Sequence, residues 1–201
     1  MNYMRHGSSF LLQMYERLAR NDAVRPVDLI FVLAGRLERK TYGLELFHSG
    51  IAPRLILSVD RYEVSKVKRL ELPFAEELVR LRDRTLPEDR HFFVEMDCQD
   101  VRIQQVNLFS RNTYGEILKL RECLQHQQLK HVMIVSTDLH LQRVSLTVRK
   151  LFRDVPTQFS FCAVPTLRSA VKKEFWWNRR YDRSHVLREF VKLAGYRLIL
   201  S

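Results

Sequence analysis

The sequence predicts an α/β sandwich, with a mostly parallel central sheet and helices on both faces, built as a single domain over residues 1–201. Three observations carry that expectation. Apolar runs alternate with amphipathic stretches along the chain, which is the signature of repeated strand and helix units. Two runs, residues 27–34 and 130–136, are rich in Val, Ile, Leu and Met, as strands covered on both faces are. No internal repeat or low-complexity linker interrupts the chain, and 46 % hydrophobic content suffices for a substantial core.

The elements follow in order. A helix over residues 9–20 carries Leu11, Leu12, Tyr15 and Leu18 and is expected to pack outside the sheet, ahead of a core over about residues 27–197. The apolar run 27–34 is a central strand ended by Gly35. Leu37, Leu44 and Phe47 lie near helical spacing over residues 37–48, and Ser49-Gly50 closes that helix. A second strand covers residues 54–59. Residues 61–85 are charged and read as helical with a break near Pro73; eight basic and seven acidic side chains between 61 and 90 suit an exposed face. Residues 91–96 form a strand, whereas residues 102–108, rich in Gln and Asn, are open between strand and loop. Residues 113–127 form a helix opened by Thr113-Tyr-Gly-Glu116, which has capping-box spacing. A strand at 130–136, a helix at 139–152 with Val144, Val148 and Leu151 on one face, and a strand at 158–164 follow. Helices around Val171 and Val186 finish the domain.

Several classes are excluded by what the chain lacks. The first residues include Arg5 and His6 but only a three-residue apolar run at 10–12, too short for a signal-peptide core. No run approaches the roughly 18 apolar residues of a spanning helix, so a cytoplasmic protein without an integral membrane segment is expected. Cys98, Cys123 and Cys162 are odd in number and far apart, which fits neither a disulfide framework nor a paired zinc motif; they read as reduced, mostly buried thiols. The six glycines form no G-x-G-x-x-G and no P-loop. A G-x-S-x-G elbow and a His-Glu-x-x-His pair are also absent, and the seven histidines show no metal-ligand spacing. The net charge of +11 favours anionic partners. Between Arg168 and Arg197 nine basic residues face three acidic ones, either as a solvated basic face or as a rim that draws an anion toward a pocket.

The most informative stretch is Lys130-His-Val-Met-Ile-Val-Ser-Thr-Asp-Leu-His-Leu-Gln-Arg143, where a buried strand runs into a polar turn. In open α/β sheets ligands bind outside the carboxyl ends of parallel strands, where the next helix presents unpaired N–H groups and its positive dipole end. Thr137 and His140 lie at that turn; an imidazole there can donate to an oxyanion or shuttle a proton. Arg143 lies three residues on, where its planar fork can hold phosphate or carboxylate. The plainer readings are a structural histidine and an ion pair of Arg143 with Glu116 or Asp138. Asn112, Thr113 and Glu116 stand at another helix start, where capping alone explains Thr113 and Glu116 equally well. Asp60 and Arg61, just past the second strand, reach the same crevice or serve as surface ion-pair residues. Gly35 suits a close backbone approach, Arg39 a charged helix face, and Trp176 and Trp177 core or lid packing.

Four stretches resemble the YdcF-like family, also called ElyC/SanA/YdcF, a domain of unknown function. They are Asp28-Leu-Ile-Phe-Val-Leu-Ala-Gly35 with Arg39 and the later Ser49-Gly50-Ile-Ala-Pro53-Arg-Leu-Ile-Leu-Ser58; Ser110-Arg-Asn-Thr-Tyr-Gly-Glu116; Val135-Ser-Thr-Asp-Leu-His140-Leu-Gln-Arg143; and Trp176-Trp177 through Glu189 and Lys192. The second is similar to the family's Ser-x-Asn-Thr-x-x-Glu signature and the third to its Thr-x-x-His-x-x-Arg strand end. The resemblance implies a Rossmann-like three-layer fold without the glycine fingerprint, and a ligand site drawn from Gly35, Arg39, Ser58, Asp60, Asn112, Thr113, Glu116, Thr137, His140 and Arg143. It implies no defined reaction, because the family has no agreed one. The chain departs from the pattern after the second strand, where Ser58-Val59-Asp60-Arg61 replaces the usual Ser-Gly-Gly, so a glycine-only backbone conformation is not expected there.

Three functions compete. The first is an enzyme or binder for a small phosphate-bearing or nucleotide-like molecule, with Arg143 holding the anion and His140 or Glu116 transferring a proton. A nucleotide-type ligand such as S-adenosylmethionine is compatible with such a pocket. The second is a non-catalytic regulatory or interaction domain in cell-envelope physiology, which the resemblance suggests. The third is a nucleic-acid binder resting on charge alone, which the lack of any recognition motif disfavours.

Overall fold

The computed structural model describes residues 3–70, 72–110, 112–125, 127–169 and 171–200, with side chains from residue 9 to residue 199. In chain order the elements are α1 (Tyr3–Leu18), β1 (Leu29–Val32), α2 (Leu37–His48), β2 (Leu55–Asp60), a short α3 (Val64–Val67) leading into a 3-10 turn, and α4 (Ala75–Arg84). They continue with β3 (His91–Met96), β4 (Val101–Gln105), α5 (Thr113–Leu124), β5 (His131–Ser136), α6 (Asp138–Leu151), β6 (Gln158–Ala163) and α7 (Arg180–Leu200). The strands form one sheet in the order β4-β3-β2-β1-β5-β6. β1 pairs in parallel with β2 and β5, and β5 with β6, while β3 and β4 add on as an antiparallel edge. The result is a three-layer Rossmann-like sandwich.

The sequence of β1 shows why the sheet is covered on both sides. Leu29 and Phe31 point into a cluster with Ile117 and Leu120 of α5 and Leu141 and Val144 of α6. Ile30 and Val32 point the other way, into a cluster with Leu44 and Leu46 of α2, Val64 of α3 and Leu78 of α4. Alternation of side chains across a strand turns one continuous apolar run into two cores. Each fully buried Leu, Ile or Phe there contributes on the order of 1.5–3 kcal/mol of transfer free energy. α2 ends as its Ser49-Gly50 pair predicts: Gly50 N–H donates to the Phe47 carbonyl at 2.9 Å and Ile51 N–H to the Leu46 carbonyl at 3.1 Å, the Schellman pattern.

Some boundaries differ from expectation. The open segment at 102–108 forms a strand, β4, over Val101–Gln105, and it is short and largely exposed because it lies at the sheet edge. α5 stops at Leu124 rather than Gln127, and His126, like Arg111, lies outside the described residues. The segment around Val171 makes turns instead of a helix; Phe175 sits at φ 62, a left-handed conformation that interrupts helical hydrogen bonding. α1 packs on α6 and α7 rather than directly on the sheet: Tyr15 and Leu18 meet Leu139, Trp176, Val186 and Leu193. Beyond α1 the chain covers the β6 edge, with Asp22 N–H donating to the Phe161 carbonyl at 2.7 Å and Asn21 Oδ1 accepting from Ala163 N–H at 2.9 Å; covering an edge in this way blocks strand addition.

The cysteines are free, but their burial is graded rather than uniform: Cys162 is buried, Cys123 half-buried, and Cys98 exposed in the turn between β3 and β4. Trp176 is a packing residue, 3 % exposed, with its indole N–H donating to the Leu11 carbonyl at 3.0 Å. Among the described residues no helix is long and apolar enough to cross a membrane.

Candidate functional site

The sheet order reverses at β1, whose two parallel neighbours are β2 on one side and β5 on the other. Chain connections leave this point in opposite directions and open a crevice at the carboxyl ends of the strands. A cleft of about 530 Å³ lies there. It brings together Gly35, Arg39, Asp60, Asn112, Thr113, Glu116, Thr137, His140 and Arg143, nine of the ten residues expected from the sequence. The tenth, Ser58, stands just behind its wall, fully buried, with its hydroxyl 2.8 Å from His91 Nε2. Arg61 does not reach the cleft; its guanidinium stacks on Tyr62, 4.4 Å from the ring centroid.

The floor is charged. Arg39 is not on a solvated helix face but 8 % exposed, reaching back to donate to the Ala34 carbonyl and, from Nη2, to Thr137 Oγ1 at 3.2 Å. Gly35 suits this approach: it sits at φ 132, a conformation that disfavours a side chain, and a Cβ there would lie 2.7 Å from Arg39 Nη1, so the guanidinium would have to shift. Arg39 Nε is buried with no hydrogen-bond partner among the described residues. Burial lowers the Arg39 pKa, opposed by the charges of Glu116 and Glu63. Behind it lies a fully buried Lys40, whose Nζ is 2.7 Å from Glu63 Oε1.

Glu116 is not a capping residue. The cap of α5 is Asn112, whose Oδ1 accepts from Gly115 N–H at 3.1 Å. The box spacing read from Thr113 is thus displaced by one residue, and Glu116 turns inward. Its Oε1 accepts from Ala34 N–H at 2.7 Å, tying α5 to the end of β1. Burial raises the Glu116 pKa, against the opposing pull of the Ser58 hydroxyl, the Ala34 N–H and Lys40. A carboxyl whose proton is held more tightly than usual beside hydrogen-bond partners can act as an acid or a base.

His140 anchors a chain of hydroxyls. Its Nε2 lies 3.0 Å from Thr113 Oγ1 and its Nδ1 2.9 Å from Ser136 Oγ. Arg143 Nη1 donates to the same Thr113 oxygen. An arginine can only donate, so the Thr113 hydroxyl keeps its own proton, which it can donate to Nε2 in the tautomer whose Nδ1–H donates to Ser136. Burial, then the charges of Arg39 and Arg143, hold the His140 pKa well below its ordinary value, and the ring is neutral near pH 7. It can accept the Thr113 proton and return it.

Arg143 pairs with neither Glu116 nor Asp138. Its partner is Glu189 of α7, with Nη2 3.1 Å from Oε2 and both side chains under 10 % exposed. Lys192 Nζ lies 2.9 Å from the other oxygen of Glu189, and the Tyr196 ring lies 5.2 Å from the Arg143 guanidinium. Burial pushes the Glu189 pKa up, but Arg143 and Lys192 outweigh it and hold the carboxyl below its usual range. His185, Glu189, Lys192 and Tyr196, with His91 and Leu108 across the cleft, also line it. None of these six is among the ten expected from the sequence. The spacing of the four on α7, at i, i+4, i+7 and i+11, marks one helical face and was the signal available.

One further glycine sets the site. A Cβ on Gly115 would lie 2.0 Å from the Ser110 carbonyl oxygen, so the loop that delivers Asn112 and Thr113 can touch α5 only at a glycine. Gly115→Ala is expected to lower unfolding free energy by about 1–3 kcal/mol, as over-packing does, and to displace Asn112 and Thr113. Urea denaturation and amide NMR shifts around residue 113 check this; an unperturbed variant contradicts the close approach.

Among the described residues no group of three or more His, Cys, Asp or Glu side chains is placed to hold a metal ion. No family model matches the chain, and no curated protein or solved structure matches it.

Proposed function

We propose that this cleft binds, and turns over, a small phosphate-bearing or nucleotide-like molecule. The observation that carries the reading is the meeting of Arg39, Arg143 and Lys192 with the starts of α5 and α6 in one cleft. Cations and helix N-termini are what an anion requires. Arg39 lines the cleft with its Nε left without a hydrogen-bond partner among the described residues, so its guanidinium is not fully satisfied by the protein. The Thr113–His140–Ser136 chain and Glu116 stand beside this charge as proton carriers, and proton transfer with oxyanion stabilisation is the minimum equipment for transfer of a phosphoryl or acyl group. Tyr196 supplies an aromatic surface in the same cleft, which suits a nucleoside, S-adenosylmethionine included. The resemblance of the Asn-Thr-x-x-Glu and His-x-x-Arg stretches to the YdcF-like family supports a site at these positions.

The test is a thermal-shift screen of inorganic phosphate, nucleotides, sugar phosphates and S-adenosylmethionine. At 100 times the dissociation constant a ligand stabilises by about 2.7 kcal/mol, a rise of several degrees at roughly 2–4 °C per kcal/mol for this size. The rise should shrink in Lys192→Gln, whose side chain is half exposed and can be changed without opening the core. If no anion shifts the wild type, the reading fails in favour of a non-catalytic interaction domain.

A further inference from the structure

The inner face of α7 closes the cleft; its outer face is a separate matter. Leu187, Phe190 and Val191 are 51 %, 47 % and 70 % exposed, and their i, i+3, i+4 spacing joins them into one patch. Arg180 and Arg183 precede the patch by seven and four residues from Leu187 and so share its side of the helix. Arg188 and Arg197 flank it, and all four arginines are exposed. The acids of α7, Asp182 and Glu189, are turned inward at 0 % and 6 % exposure. The outward surface of a 21-residue helix therefore offers apolar side chains and arginines with no carboxylate among them. An ordinary solvated helix mixes both signs of charge and keeps large apolar side chains inside.

We propose that the outward face of α7 docks the protein on the surface of an anionic lipid bilayer, the helix lying in the plane of the interface. Leu187, Phe190 and Val191 enter the boundary between headgroups and acyl chains while the arginines meet lipid phosphates. Burial of exposed apolar side chains and attraction of basic ones to lipid phosphate are the two contributions that hold a peripheral protein on an anionic bilayer. Charge complementarity selects the bilayer over a second copy of the chain: two α7 faces packed together would set arginine against arginine with no exposed acid on the helix to offset them. It selects the bilayer over nucleic acid as well, because a phosphodiester backbone engages the arginines and leaves the apolar patch in water. The inference stands apart from the ligand of the cleft.

The experiment is co-sedimentation with vesicles of phosphatidylcholine containing 40 mol % phosphatidylglycerol, and with pure phosphatidylcholine vesicles, using the full chain. Two variants are compared with the wild type: Leu187→Gln with Phe190→Gln and Val191→Gln, and Arg180→Ser with Arg183→Ser and Arg188→Ser. Far-UV circular dichroism melts verify that each is folded. The wild type should sediment with the anionic vesicles, remain in solution with the neutral ones, and be released as salt is raised. Each arginine near the surface is worth roughly a fivefold factor in partitioning, so the serine variant should lose on the order of a hundredfold; the glutamine variant should lose at least about tenfold through its buried apolar area. A wild type that stays in the supernatant overturns the proposal. So does a glutamine variant that binds as the wild type does, since arginines alone would then account for the retention. Duplex DNA that competes the wild type off the anionic vesicles, and that the glutamine variant binds equally well, would assign the face to nucleic acid instead.

Discussion

Glu189→Ala is expected to lower the unfolding free energy by about 3–5 kcal/mol, the usual result of deleting one partner of a buried ion pair. Arg143 would then keep its charge in a site where it is under 10 % exposed, with Arg39 and Lys192 lining the same cleft. An arginine does not lose its proton in compensation. For a chain of this length the melting temperature should fall by roughly 6–20 °C. The double variant Arg143→Met with Glu189→Leu removes both charges and fills similar volume, and it should recover most of the loss. A double-mutant cycle by urea denaturation reads this directly; costs that simply add would show that the two side chains do not depend on each other. The pair also has a pH signature. Glu189 is held below the ordinary carboxylate range, so its contribution is complete above that range, near 4.3, and is lost as pH falls through its depressed folded value.

The second large effect is acid sensitivity set by His140. Its folded pKa is depressed well below the ordinary imidazole value of 6.5, so between the folded value and 6.5 the unfolded chain binds a proton that the native chain does not. Stability is therefore full above about 6.5 and declines as pH falls, with a slope approaching about 1.4 kcal/mol per pH unit for one such group. His185, also depressed, adds to the slope with the same sign. His140→Gln keeps a hydrogen-bonding side chain and cannot titrate, so its stability between pH 5 and 7 should be flatter than that of the wild type by His140's share. Chemical denaturation across that range decides it, and parallel curves would mean that the imidazole is as free to protonate in the fold as outside it. Loss of acid sensitivity would also support the neutral, proton-accepting ring on which the Thr113–His140–Ser136 chain depends.

How much of this was readable beforehand varies with how local the signal is. β1 and β5 were evident because a strand covered on both faces must be apolar at every position, and few other segments of the chain are. β4 was ambiguous because an edge strand needs no such pattern: Arg102, Gln104 and Gln105 are exposed, and only pairing of Val101 to Gln105 with β3 makes the segment a strand. The turn around Val171 was mistaken for a helix because one buried valine beside Lys172 and Lys173 looks amphipathic over a short window. After Ser58 the residues Val59-Asp60-Arg61 were not expected to adopt a glycine-only conformation, and they do not: β2 runs on as a strand to Asp60 against β3 with no positive φ there.

The candidate site divides the same way. Gly35, Thr137, His140, Arg143, Asn112 and Thr113 sit where strands pass into helices, and chain order alone places those turns at the carboxyl end of a parallel sheet. Composition and periodicity were likewise sufficient for the layered α/β architecture and for the apolar positions of its two cores. What they could not supply was the partner of each charge. Arg143 and Glu189 are 46 residues apart in sequence, and a polar residue reads as solvated until packing shows which side of its helix is covered. Docking of α7 on α6 turned Glu189 and Lys192 toward Arg143, and a one-residue shift of the α5 cap turned Glu116 from its own helix end to the Ala34 N–H. Burial periodicity is a property of neighbouring residues, whereas ion pairing across a cleft depends on how whole elements pack, and that is where sequence order stops and tertiary structure takes over.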